Sequence, residues 1–170
     1  MDDSFHIRRA VVDDAEGIAD VLERVTAERI HSAIERAWTP QQQSSYLAML
    51  SQREAFHVAT AEAGDIIGYQ SLDLYSRALT SMAHVGQLGT FILPGWRGRG
   101  VGTALFQATH RFARAVAYRK FLIQVRASNA AAQRFYGKLG FLECGRLTAQ
   151  VTIDDREDDE ILMEYFVQAG

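Results

Sequence analysis

The chain has 170 residues, 48% of them hydrophobic, with two prolines, one cysteine and a formal net charge of −3. That length supplies one domain (1–170) with a substantial core and is short for two. The composition excludes disorder, and the lone Cys144 excludes an internal disulfide framework and suits a reducing cytosol.

The opening stretch MDDSFHIRRA has no apolar signal core, and no run reaches the ~18 apolar residues of a bilayer span. A cytoplasmic protein with no membrane partner is therefore expected. Charge is segregated along the chain. Between Leu74 and Leu142 there is no acid but there are ten basic residues, and the other eight share the remaining chain with all 21 acids. A cationic middle fits a polyanionic ligand. Nucleic acid is disfavoured, because the chain is acidic overall and its basic residues interleave with apolar helix positions.

In chain order, residues 5–11 alternate and predict a first strand. Asp13 or Asp14 then caps a helix carrying Ile18, Val21, Leu22 and Val25 on one face. Thr39-Pro40 opens a second helix, since proline is tolerated in the first turn, with Tyr46, Leu47 and Leu50 on its apolar side. Residues 55–61 and 66–75 predict a hairpin turning at 62–65. The strand expected at 85–93 contains Gly86 and Gly89, which mark a bulge or the close approach of another backbone or ligand. Val101, Leu105, Ala108, Phe112 and Val116 then repeat at helical spacing.

Residues 121–125 predict a short apolar strand broken only by Gln124, as at a buried position. Ser128 caps a helix through Leu139 that Gly140 ends. Residues 141–153 and 160–167 predict a closing strand pair, with the acidic tract 154–159 at its turn. The order is that of an α/β fold with a mixed sheet.

The segment Arg97-Gly98-Arg99-Gly100-Val101-Gly102 joins a strand to a helix. Alternating glycines bring the backbone close to a ligand and turn N–H groups the same way. The helix start adds the positive end of its dipole, so the natural guest is a phosphate. No Gly-Lys-Ser/Thr follows, which excludes a nucleoside-triphosphatase loop. The mid-chain position, with no acid about 20 residues later, excludes a dinucleotide fingerprint.

The run from Leu93 through Pro94-Gly95-Trp96-Arg97-Gly98-Arg99-Gly100-Val101-Gly102-Thr103 to Leu105 resembles the acetyl-CoA signature of the GCN5-related N-acetyltransferase (GNAT) superfamily. That signature is Arg/Gln-x-x-Gly-x-Gly/Ala after a strand. Downstream, Asn129 to Phe141, with Phe135-Tyr136-Gly137-Lys138-Leu139-Gly140-Phe141 at its end, resembles the second signature of the superfamily. The resemblance implies a single-domain α/β fold: a mixed, mostly antiparallel sheet of about seven strands, splayed between the fourth and fifth, flanked by about four helices.

It implies acetyl-CoA as co-substrate and no metal. The pyrophosphate would rest on the amides of Gly98, Arg99, Gly100, Val101, Gly102 and Thr103, with charge from Arg97 and Arg99. The pantetheine arm would run along the main chain of Phe91, Ile92 and Leu93 like an added strand, and would meet Asn129 and Ala132. The plainer readings are solvated arginines and, for Asn129, a helix cap.

Direct transfer to an amine needs a base, oxyanion donors and an acid. The resemblance gives the acid role to Tyr136, whose phenol and an alkyl thiol have ordinary pKa values within ~2 units. At i+1 from Phe135 it cannot share that residue's helix face, so one ring should leave the main core. A backbone N–H of a bulged fourth strand would hold the oxyanion.

The base departs from a common pattern. Several relatives, including those resembling phosphinothricin acetyltransferases, carry a glutamate seven residues before the signature proline, where this chain has Gln87. His84 and Asp73 are the candidates, against plainer readings as a strand-end histidine and a partly exposed strand aspartate. Cys144 reads as a small buried hydrophobe, not a nucleophile.

The expected partner is a small-molecule amine or amino acid, met by the first two helices, their loop and the last strand pair. Exposed terminal strands suit a homodimer. Two alternatives stand beside this: a cofactor-binding sensor without catalysis, and a protein or peptide N-acetyltransferase.

Overall fold

The structure, a computed structural model, describes residues 4–167. Among these, seven strands form one sheet in the order β1-β2-β3-β4-β5-β7-β6. They are β1 (Phe5–Arg9), β2 (Ala55–Ala61), β3 (Ile66–Leu74), β4 (Val85–Ile92), β5 (Lys120–Arg126), β6 (Leu142–Ile153) and β7 (Arg156–Phe166). The helices are α1 (Ala15–Thr26), α2 (Pro40–Ala48), α3 (Val101–Ala115) and α4 (Ala130–Leu139). Every pairing is antiparallel except β4 with β5. A parallel pair needs a long crossover, and α3 supplies it.

Period-two alternation decides which side chains meet which helices. Ile18, Val21, Leu22 and Val25 of α1, with Leu47 of α2, pack on Phe56, Val58 and Tyr69 on one face. Phe106 and Ala113 of α3, with Tyr136 of α4, pack on Phe121, Ile123, Ile161 and Met163 on the other.

The ends of the helices are chemically specified. Asp14 stands at the start of α1, but its carboxylate reaches back to the Val11 N–H (2.8 Å) and to both Arg8 guanidinium nitrogens (2.7 Å each), tying β1 to the helix. Thr39 Oγ1 accepts from the Gln42 N–H (3.2 Å) while the Gln42 side chain returns to the Thr39 N–H (2.9 Å), a reciprocal cap ahead of Pro40. Asn129, not Ser128, caps α4: its Oδ1 accepts from the Ala132 N–H (3.1 Å), because the Ser128 hydroxyl is turned to Asp158 (2.5 Å). Gly140 ends α4 at φ 99°.

Three further expectations are corrected. The last turn is Asp154-Asp155 alone, both at positive φ, because Asp158 and Asp159 find Arg126 and Arg146 as partners and continue into β7. Cys144 is exposed, since it lies on edge strand β6. No bulge occurs in β4, whose register with β3 runs unbroken from Gly86 to Ile92. Gly86 serves close packing instead: a Cβ there would meet Leu72 Cδ1 at 2.5 Å and the Tyr118 ring at 3.1 Å.

Candidate active site

Strands β4 and β5 pair only where Val85, Gly86 and Gln87 face Lys120, Phe121 and Leu122. Beyond that point β4 stays with β3 and β5 with β7, leaving a wedge-shaped notch. Backbone hydrogen bonds fix which groups of β4 line it. The Val85 carbonyl accepts from the Tyr75 N–H (3.1 Å) and the Leu93 N–H donates to the Ile67 carbonyl (3.0 Å), both toward β3. The His84 carbonyl accepts from the Arg119 and Lys120 N–H groups (2.9 and 3.2 Å), toward β5. Direction alternates along a strand, so odd-numbered residues turn to β3 and the even-numbered Leu88, Thr90 and Ile92 turn to the notch. The edge expected at Phe91 and Leu93 therefore moves to Thr90 and Ile92.

The glycine segment continues from the wide end of the notch. Gly98 and Gly100 adopt φ 74° and 86°, and a Cβ on either would find nothing within 4 Å, so the space beside both glycines is open. The backbone bond from the Ala104 N–H to the Gly100 carbonyl (3.0 Å) opens α3, and the amides of Val101, Gly102 and Thr103 precede it. Gly102 lets α3 approach its neighbours: a Cβ there would lie 2.9 Å from the Phe135 ring and 3.1 Å from Ile92. Phe135 thus supports the turn while Tyr136 enters the core.

The two arginines differ. Arg99 lies over the Trp96 ring at 5.5 Å, beside the turn. Arg97 points away from it: Nε donates to the Ile92 carbonyl (2.9 Å) and the guanidinium to both Glu28 oxygens (2.8 and 2.5 Å), which holds the Glu28 carboxyl below its ordinary range. Asn129 Nδ2 donates to the His31 carbonyl (3.4 Å). Arg97 and Asn129 thereby hold the segment after α1 against the notch.

Tyr136 is buried, and its hydroxyl donates to Thr90 Oγ1 (2.8 Å), which also accepts from Gln70 Nε2 (2.8 Å). Burial pushes its phenol up to about 12, so at neutral pH it carries its proton. Asp73 lies on the opposite face of the sheet, cross-strand from Gln87, where it accepts from the Tyr46 hydroxyl. Burial is the main cause holding its carboxyl above the ordinary range. His84 stands apart from both, before β4 and at the closed end of the notch.

The family model described as Acetyltransferase (GNAT) family matches residues 23–141. The chain belongs to the GNAT acetyltransferase family. It is 23% identical over 154 residues to YwnH of Bacillus subtilis (strain 168), named as a candidate phosphinothricin acetyltransferase, covering 90% of this chain and 93% of YwnH. The GNAT fold is shared with the phosphinothricin acetyltransferase of Sinorhizobium meliloti in complex with AcCoA (TM-score 0.87, 20% identity, 95% of this chain and 88% of that one). It is also shared with the ribosomal-protein-alanine N-acetyltransferase of Brucella melitensis (TM-score 0.87, 22% identity, 95% and 99%).

A buried carboxylate lies beside the notch. Gln87 Nε2 donates to Gln124 Oε1 (3.0 Å), and Gln124 Nε2 donates to Glu160 Oε2 (3.2 Å). Glu160 is only 7% exposed, and burial, with Asp158 beside it, holds its carboxyl above the ordinary range. Expected at the start of the last strand, directly after an acidic tract, Glu160 carried no signal in the sequence that set it apart from its neighbours. Gln124 was expected to be buried and is exposed, since no helix covers that face of β5.

Proposed function

We propose that this GNAT protein transfers the acetyl group of acetyl-CoA to a primary amine of a small molecule by direct attack. The observation that carries the reading is the β4–β5 notch, with the open amide turn at 98–103 at its wide end and the Tyr136 phenol in its wall. The turn matches a diphosphate in shape and sign: amides at a helix start, two left-handed glycines, and Arg99 alongside. Thr90 and Ile92 offer the unpaired edge along which a pantetheine arm adds as a strand. An Ile92 carbonyl already taken by Arg97 leaves Thr90 the larger share.

Acetyl-CoA supplies a thioester carbonyl, and the protein does the rest. Amides on the free edge of β4 stabilise the developing oxyanion. Tyr136, fully protonated at neutral pH, delivers its proton to the departing sulfur. The acceptor comes from the α1/α2 side of the sheet, where the notch is not covered by α3 or α4.

Thiol release from acetyl-CoA over a panel of amines tests this reading. Native protein turns over at least one small amine, and Tyr136→Phe lowers kcat by about 100-fold or more with acetyl-CoA affinity retained. Native-like turnover by Tyr136→Phe removes the phenol from the mechanism.

A further inference from the structure

A row of polar side chains crosses the sheet on the face opposite Tyr136. Strand register puts Asp73 beside Gln87, Gln87 beside Leu122, and Gln124 beside Leu162, each two-residue step along a strand keeping the same face. The row Asp73, Gln87, Gln124, Glu160 therefore runs across β3, β4, β5 and β7. Gln87 closes the apex of the notch and Gln124 begins its β5 wall, just past the last paired residue. Gln87 donates to Gln124 and Gln124 donates to Glu160, so the relay of amides ties the carboxylate to the apex of the notch.

Cations on this face are already matched. Arg126 is paired with Asp158 (2.8 Å) and donates to the Arg29 carbonyl (2.6 Å), the Arg29 guanidinium is on Asp154 (2.5 Å), and Lys120 is on Glu164. The cross-strand neighbours of Glu160 are Leu147 on β6 and, on β5, the same Arg126 that Asp158 holds. Among the described residues neither Asp73 nor Glu160 has a cationic partner within ion-pair distance. Two shielded carboxylates without an ion pair of their own, the nearby Arg77 and Arg126 being bonded to Glu54 and Asp158, fit an acceptor that arrives as an ammonium ion.

We propose that Glu160 is the catalytic base, held by Gln124 and Gln87 to take the proton of an acceptor ammonium seated on this row. The proposal rests on the acetyl-transfer reading above. Glu160 removes one proton from R–NH3+ and passes it to solvent. The freed nitrogen forms the C–N bond at the thioester carbon, the C–S bond breaks, and Tyr136 protonates the sulfur. A second nitrogen proton is lost as the amide forms, and Tyr136 is reprotonated from solvent. The balance is amide, thiol and one released proton. The carboxyl shift fits this role, because a base nearer neutrality takes an amine proton more readily.

The test is the pH dependence of kcat/KM for the native protein, Glu160→Gln, Glu160→Asp and Asp73→Asn, with the best amine of the panel. Thermal melts and acetyl-CoA calorimetry run on each variant. The native profile rises through an acidic limb. Glu160→Gln loses that limb and at least about 100-fold in kcat, binds acetyl-CoA as before and melts no lower at pH 7. Glu160→Asp keeps the limb at reduced rate, and Asp73→Asn keeps it as well. An unchanged limb in Glu160→Gln, or its loss in Asp73→Asn, overturns the assignment while acetyl transfer stands. Acetyl-CoA binding without turnover of any amine by native protein overturns both.

Discussion

His57 is a buried imidazole between β2 and α3, within 3.0 Å of Thr109 Oγ1. Burial, reinforced by Arg9 and Arg111, lowers its pKa to about 4. A histidine that resists protonation in the fold but accepts a proton when unfolded stabilises the protein fully above the ordinary value near 6.5. That contribution is lost as pH falls from there toward 4. The melting temperature should therefore drop across this window in native protein and drop less in His57→Gln; equal slopes would contradict the assignment. The sequence could not reveal this residue, since His57 alternates with Phe56 and Val58 and only the third dimension sets it under α3. The same holds for Glu160. Tyr136 and Gly100 were legible because their neighbours along the chain define their roles.

The strand-turn-helix unit from β4 to α3 shows what local sequence specifies. Gly98 and Gly100 take left-handed backbone because the turn needs it, and that need was written in the glycine spacing. Gly100→Ala should cost about 1 kcal/mol from backbone strain, seen as a melt a few degrees lower. Its new methyl, facing open space, should also weaken acetyl-CoA binding tenfold or more in calorimetry. Unaltered affinity would mean the diphosphate lies elsewhere. What local sequence hid was strand direction: Phe91 and Leu93 looked like edge residues until the bonds to Ile67 and Tyr75 fixed the alternation. The cap of α4 was misplaced by one residue because Ser128 is drawn to Asp158, a partner 30 residues away.

Across the whole molecule, the segregated charge becomes a division of labour. The basic middle builds α3, β5, α4 and the glycine turn, and its Lys120 and Arg126 meet acids of β7, Glu164 and Asp158. Arg97 and Arg126, both from the basic middle, hold the segment after α1 through Glu28 and the Arg29 carbonyl, so that segment is fastened to the strands that flank the notch. Element order and mixed sheet were readable from periodicity, and the splay only through the family resemblance, since no residue pattern announces where pairing stops. Amide chemical shifts followed during titration with acetyl-CoA show where the cofactor sits. The largest changes should fall at Gly98 to Thr103 and at Thr90 and Ile92. Saturable binding that leaves those amides unmoved and shifts another surface would contradict that placement.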